Sequence, residues 1–284
     1  MAARVSNRES RSRPRILDVP GGRLAYETRG TGAPVVFIHS VIADRRMWDR
    51  DFSRIAKGHQ AVRYNLRGFG ESSAASEPFS NTEDLHSLLA ALNVPPATLV
   101  GSSAGGGIAI DYALDHPERV GALVLVAPGL SGGILPPFTP EEQTALEYDD
   151  SKSQAVAQAW SAGDPVRAFE LLRELWCSQL QGPELELFRT MVHENVTEVF
   201  ASPTQNRAQA TPAAPRLPSL RIPTTVLVGD RDNPSMPVFA RRIVSAISGA
   251  RLVTIPGADH LVNLSQPDAF AQALLAALPD VPPQ

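Results

Sequence analysis

A serine hydroxyl, an imidazole and a carboxylate suffice to break an acyl bond when the imidazole takes the serine proton and the acid fixes the imidazole. This chain carries candidates for all three in the order serine, acid, histidine. Gly101-Ser102-Ser103-Ala104-Gly105 stands where an apolar run gives way to a helical pattern, the G-x-S-x-G context of a nucleophile elbow. So tight a turn strains the Ser103 backbone and lifts its hydroxyl out of the sheet, and Gly101 and Gly105 supply the clearance. At the start of the following helix, the Ala104 N–H is expected to point at a developing oxyanion, with the helix dipole favouring negative charge there. Two carboxylates, Asp230 and Asp232, follow the apolar run ending at Val228, and His260 follows Ile255-Pro-Gly-Ala-Asp259. Acid and base candidates thus fall on loops beyond strand C-terminal ends, where open α/β sheets bind ligands.

The elements that must position them alternate. Short β-branched runs at 34–39, 99–101, 120–127, 225–229 and 251–255 alternate with helical patterns at 105–115, 237–247 and 267–278, which predicts a parallel sheet flanked by helices. Residues 23–28 alternate in polarity, as an early edge strand does. Ser80 and Asn81 before Glu83 and Asp84 cap a helix with apolar Leu85, Leu88, Leu89 and Leu92. The alternation breaks after about residue 130. Asp164-Pro165 and Gly182-Pro183 open helices, the first with Val166, Phe169, Leu172 and Trp176 on one face. The expected organisation is a tail at 1–15, an α/β core at 16–130 and 216–284, and an inserted helical cap at 131–215.

With 284 residues, 43% hydrophobic and 20% charged, the chain has the composition of a folded domain. A formal charge of −4 offers no general field for phosphate backbones, so nucleic acid is not an expected partner. No apolar run reaches the roughly 18 residues of a membrane span. The arginine- and serine-rich start lacks an apolar signal stretch and reads as a frayed tail, only weakly as a transit peptide, and a cytoplasmic location is expected. The single cysteine, Cys177, cannot form an internal disulfide and reads as an inert small hydrophobe. His59, His86, His116 and His193 lack metal-ligand spacing, and the glycines at 105–107 lack a dinucleotide fingerprint, so no metal or cofactor is expected.

At these residues the chain resembles the α/β-hydrolase superfamily, over about residues 20–280. Besides the elbow, the segment from His39 to Trp48 is similar to the family's strand-loop signature, and Asn65-Leu-Arg67-Gly68-Phe-Gly70-Glu-Ser72 is similar to its Asp-x-Arg-Gly-x-Gly-x-Ser segment. The resemblance implies Ser103 as nucleophile, His260 as base, Asp232 as acid, and the N–H groups of Val41 and Ala104 as oxyanion hole. The family usually has Gly after the histidine matched by His39; Ser40 stands there instead, which resembles the enol-lactonase and esterase-like branch, where Asn-Ser or a similar pair opens the loop. Ser40 is a departure that places a hydroxyl near substrate, and Asn65 departs by putting a neutral amide where the family has Asp, with Arg67 as one charge it would have served. His39 is expected to orient the oxyanion loop.

A serine at the elbow implies acyl transfer to water, with a carboxylic ester or lactone as the small-molecule substrate. Arg45 and Arg46 are candidates to pair with a substrate carboxylate, and Trp160, Trp176, Phe169, Phe188 and Met191 to line an apolar pocket. The same triad also serves carbon–carbon bond hydrolysis, perhydrolysis or a cofactor-free tailoring reaction. A reading of another class is a ligand-binding receptor that keeps the hydrolase fold.

Overall fold

The computed structural model describes residues 13–75, 77–200 and 211–279. Most of the expected 1–15 tail lies outside them. Eight strands, β1 (Arg15–Val19), β2 (Gly22–Arg29), β3 (Pro34–Ile38), β4 (Gln60–Tyr64), β5 (Ala97–Ser102), β6 (Val120–Val126), β7 (Thr224–Gly229) and β8 (Arg251–Ile255), form one sheet in the order β1-β2-β4-β3-β5-β6-β7-β8. Pairing is antiparallel for β1–β2 and β2–β4 and parallel from β4 through β8. The edge is therefore β1, not the 23–28 run, and it begins at Arg15, opposite Tyr26, inside the expected tail. β4 also escapes sequence pattern, because Arg63 interrupts its apolar run. That guanidinium is buried against Glu27, 2.6 Å away, and Asp49, 2.5 Å away, partners visible only once β2 lies beside β4.

Both faces are covered. Along β3, Val36 and Ile38 face one core with Leu88, Ile108, Tyr112 and Ile243, while Val35 and Phe37 face the other with Trp48, Phe52 and Phe270, the two-residue period of a strand. The helices behind these contacts are α1 (Asp49–Ile55), α2 (Asn81–Ala91), α3 (Ala104–Asp115), α8 (Ser235–Ala246), the single-turn α9 (Val262–Ser265) and α10 (Pro267–Ala277). Burying side chains such as Phe37 and Leu88 fully stabilises the fold by about 1.5–3 kcal/mol each. Ser80 caps α2 as expected, its side chain accepting the Glu83 N–H.

Between β6 and β7 run α4 (Pro140–Ser161), α5 (Pro165–Trp176), α6 (Gly182–Glu194) and α7 (Val196–Phe200). Asp164 caps α5 by accepting the Arg167 N–H, and Phe169 and Leu172 pack inward with Phe188 and Met191 of α6. Val166 does not share that face; it is 73% exposed. α4 is the element the sequence hides. Only Ala145 and Val156 of its 22 residues are buried, so it shows no apolar stripe. No helix among the described residues is long and apolar enough to cross a membrane.

The segment Asn65–Ser72 folds as a polar knot. Arg67 is buried and pairs with Asp84 of α2 at 2.7 and 2.8 Å, not with Asn65. Asn65 instead accepts the Arg45 N–H through Oδ1 and donates from Nδ2 to Glu71, both at 3.0 Å. The amide fits where a carboxylate would face another carboxylate. Asp84→Asn leaves the buried guanidinium without its counter-charge and is expected to lower stability by about 3–5 kcal/mol, read as a fall in the urea midpoint.

Candidate active site

β3 is the switch point of the sheet, since the chain leaves it toward β4 on one side and continues to β5 on the other. Loops diverge there and open a crevice at the strand C-termini. The turn from β5 into α3 puts Ser103 at φ 54°, ψ −119°, outside the ordinary regions for a non-glycine residue, a strain of about 1–3 kcal/mol. Hydrogen bonds hold it there: its N–H donates to the Val126 carbonyl at 2.9 Å, and its carbonyl accepts the N–H groups of Gly106 and Gly129 at 2.9 and 2.8 Å. Close approach explains the flanking glycines. A Cβ on Gly101 would lie 2.3 Å from the Gly105 carbonyl, and one on Gly105 would lie 2.4 Å from that of Ile38.

Because Gly105 packs on the end of β3, the loop after β3 is drawn to the elbow. Its shape is set by His39, which is fully buried. His39 Nε2 accepts the Leu66 N–H at 2.9 Å, so the neutral ring carries its proton on Nδ1 and donates it to the Ser40 carbonyl at 2.8 Å. Burial pushes its pKa down to about 4, which keeps it uncharged. Among the described residues, no acceptor takes up the N–H of Val41 or of Ala104, and both residues are half-buried.

The acid and base loops are zipped together. A Cβ on Gly229 would sit 2.1 Å from the Ala258 carbonyl, and Arg231 donates its N–H to that carbonyl at 2.9 Å. Asp230 is exposed and accepts the Gly257 N–H at 2.6 Å. Asp232 turns inward, with no exposed side-chain surface, and both carboxylate oxygens lie 3.2 Å from His260 Nδ1. Asp232 Oδ1 also accepts the Asn233 N–H at 2.7 Å. His260 is 2% exposed, donates its N–H to the Trp176 carbonyl at 3.1 Å, and packs its ring on the indole with centroids 4.5 Å apart. Ser103 makes no hydrogen bond to His260 among the described residues; such bonds are commonly long in free enzymes and tighten with substrate.

The other expected site residues are held in contacts of the fold. Arg45 is buried against Glu27 at 3.3 Å and Glu71 at 2.8 Å, so it is a strut of the fold with no free fork for a substrate carboxylate. Arg46 is committed to Asp44 and Glu194, each at 2.6 Å, clamping α6 to the loop after β3. Ser40 is fully buried, and its hydroxyl accepts the Ile42 N–H at 3.4 Å within the loop. Trp160 stacks on Phe200 at 4.9 Å. Of the two tryptophans, Trp176 is the one against His260. Cys177 is buried and burial pushes its thiol well up, so it stays protonated and unreactive.

Sequence reasoning misses the residues that hold the His260 loop. Asn263 donates to the Met47 carbonyl at 2.6 Å and to Asp51 at 3.3 Å, tying the turn after His260 to α1. Burial pushes Asp51 up to about 7. An acid whose folded pKa is raised binds more protons folded than unfolded, so its ionisation destabilises the fold progressively as pH rises from about 4 through 7. Asp51→Asn is therefore expected to leave stability unchanged near pH 4 and to raise it at pH 8. At about 1.36 kcal/mol per pKa unit the gain has a ceiling of ~4 kcal/mol, and urea melts at the two pH values measure it.

The described geometry has relatives. Residues 35–273 match the model of the Alpha/beta hydrolase family. The chain belongs to that family. It is 31% identical over 274 residues to the polyketide synthase ThaQ of Burkholderia thailandensis, covering 93% of this chain but only 12% of that synthase. It is 28% identical over 262 residues to a protein of Synechocystis sp. named as a non-heme chloroperoxidase, covering 88% of this chain and 92% of the relative. Among solved structures, a thermophilic esterase from Thermogutta terrifontis superposes with a TM-score of 0.71 at 26% identity, covering 93% of this chain and 96% of the esterase. The α/β-hydrolase fold expected from sequence is the fold observed, and membership places the chain among enzymes that hydrolyse esters or similar bonds.

Proposed function

We propose that the protein is a serine hydrolase of carboxylic esters or lactones, with Ser103 as nucleophile, His260 as base and Asp232 as acid. The observation that carries this reading is the buried Asp232–His260 pair on loops at the strand C-termini, the edge where the strained Ser103 turn also lies. Ser103 Oγ attacks the acyl carbon as His260 Nε2 takes its proton, and Asp232 holds the Nδ1–H tautomer and offsets the imidazolium charge. The oxyanion settles on the N–H groups of Val41 and Ala104, which have no other acceptor among the described residues, each donor lowering the barrier by about 2.7–4 kcal/mol. The imidazolium then protonates the leaving alkoxide, and the C–O bond breaks to give the acyl-enzyme. Water, deprotonated by His260, attacks the ester carbon and returns Ser103 to its hydroxyl.

In the same reading the described residues of the 131–215 insertion form a cap over the crevice, supported by Trp176 packing on His260 and by the Arg46–Glu194 clamp. The named chloroperoxidase relative favours one variation, in which hydrogen peroxide replaces water as acceptor and a peracid leaves. Incubation with a fluorophosphonate and mass mapping tests the proposal: one adduct on Ser103 with parallel loss of p-nitrophenyl acetate hydrolysis is expected. Hydrolysis that survives stoichiometric labelling of Ser103 rejects it.

A further inference from the structure

α4 reaches the acid loop through one side chain that the mechanism above does not use. Asp149 Oδ1 accepts the Asn233 side-chain N–H at 2.8 Å, and Asp149 Oδ2 accepts the Ser235 hydroxyl at 3.2 Å. These two partners flank the tight turn after Asp232. Asn233 donates its backbone N–H to Asp232 Oδ1 and accepts the Ser235 N–H at 3.0 Å on its own Oδ1. Asn233 and Ser235 are buried, so a lost partner there leaves polar groups unsatisfied. On the same helix, Glu142 grips Arg242 of α8 at 2.5 and 2.9 Å, a second polar tie from α4 to the core that does not touch the acid loop.

We propose that Asp149 is a positioning residue, fixing the acid loop through Asn233 and Ser235 and with it the Asp232 carboxylate that meets His260 Nδ1. The inference rests on the serine-hydrolase reading for its effect on turnover, but its effect on the order of the loop does not. Burial raises the Asp149 pKa against the opposing hydrogen bonds from Asn233 and Ser235.

Two variants separate the latch from the charge. Asp149→Asn keeps an acceptor for Asn233 and offers a donor to the Ser235 oxygen, so both hydrogen bonds survive without the charge. Asp149→Ala removes both. Amide hydrogen exchange of Asn233, Ser235 and Met236, whose N–H groups hold the turn, is expected to quicken about 10-fold or more in Asp149→Ala and to stay near the wild-type rate in Asp149→Asn. Asp149→Ala is expected to lower kcat about 10-fold to 100-fold, with KM changed less, and Asp149→Asn to keep kcat within about threefold of wild type. Wild-type exchange rates in Asp149→Ala overturn the inference. So does an Asp149→Ala protein that melts lower yet turns over at the wild-type kcat, or an Asp149→Asn protein as impaired as Asp149→Ala. An inactive wild type, or hydrolysis that survives labelling of Ser103, would reject the serine-hydrolase reading instead, and the exchange rates would still report on Asp149.

Discussion

Ser103→Ala is expected to reduce kcat for p-nitrophenyl acetate by about 10⁵-fold or more, while the melting temperature stays within a degree or two of wild type. The first half follows from the mechanism: without the hydroxyl no acyl-enzyme forms, and only residual transition-state binding remains. The second follows from the turn. Alanine at φ 54° bears the same backbone strain as serine, and no hydrogen bond of the serine hydroxyl is lost among the described residues. Ser103→Gly offers a useful contrast, since glycine accepts positive φ freely and should relieve about 1–3 kcal/mol while being equally inactive. A stabilised, inactive glycine variant would mark the elbow as a place where stability is given up for geometry. Near-wild-type turnover in either variant would place the chemistry on another residue.

Asp232→Asn should lower kcat by about 10⁴-fold with little effect on KM. An asparagine presents an N–H to His260 Nδ1 in one rotamer and favours the tautomer whose Nε2 already carries a proton, so the base is blocked although the geometry is kept. Asp230→Asn is the matched control. Asp230 touches the Gly257 N–H and lies exposed, so its loss should change kcat less than about threefold, in line with ordinary surface substitutions. Steady-state rates of the two variants, taken side by side across pH 6 to 9, decide which carboxylate serves the base. Equal losses in both would shift the acid role to the loop as a whole.

The sheet was readable wherever a strand is apolar throughout or strictly alternating, as in β3, β6 and β7. It was not readable where a charge interrupts the run, as Arg63 does in β4, or where a helix is polar on nearly all sides, as α4 is. The same division separates Asp149 from Asp232. Asp232 lies in a Gly-x-x-Asp turn after a strand, a local pattern; Asp149 is one acid among several on a polar helix, 84 residues from Asn233, and nothing within a turn or two of it marks its partner.

Periodicity, capping and tight-turn sterics act over a few residues, so the alternating α/β order, the glycine-flanked serine turn, and the loops on which an acid and a histidine stand are all legible along the chain. Only on folding does one carboxylate meet His260, do Arg45 and Arg46 pair with Glu27, Glu71, Asp44 and Glu194 and keep no fork for substrate, and does Asn65 bridge Arg45 to Glu71. Those choices depend on charges and hydrogen-bond donors brought within about 3 Å by strands and helices far apart in the chain. A buried ionic group must find its counterpart or not be buried at all, and which counterpart is near is a property of the assembled sheet.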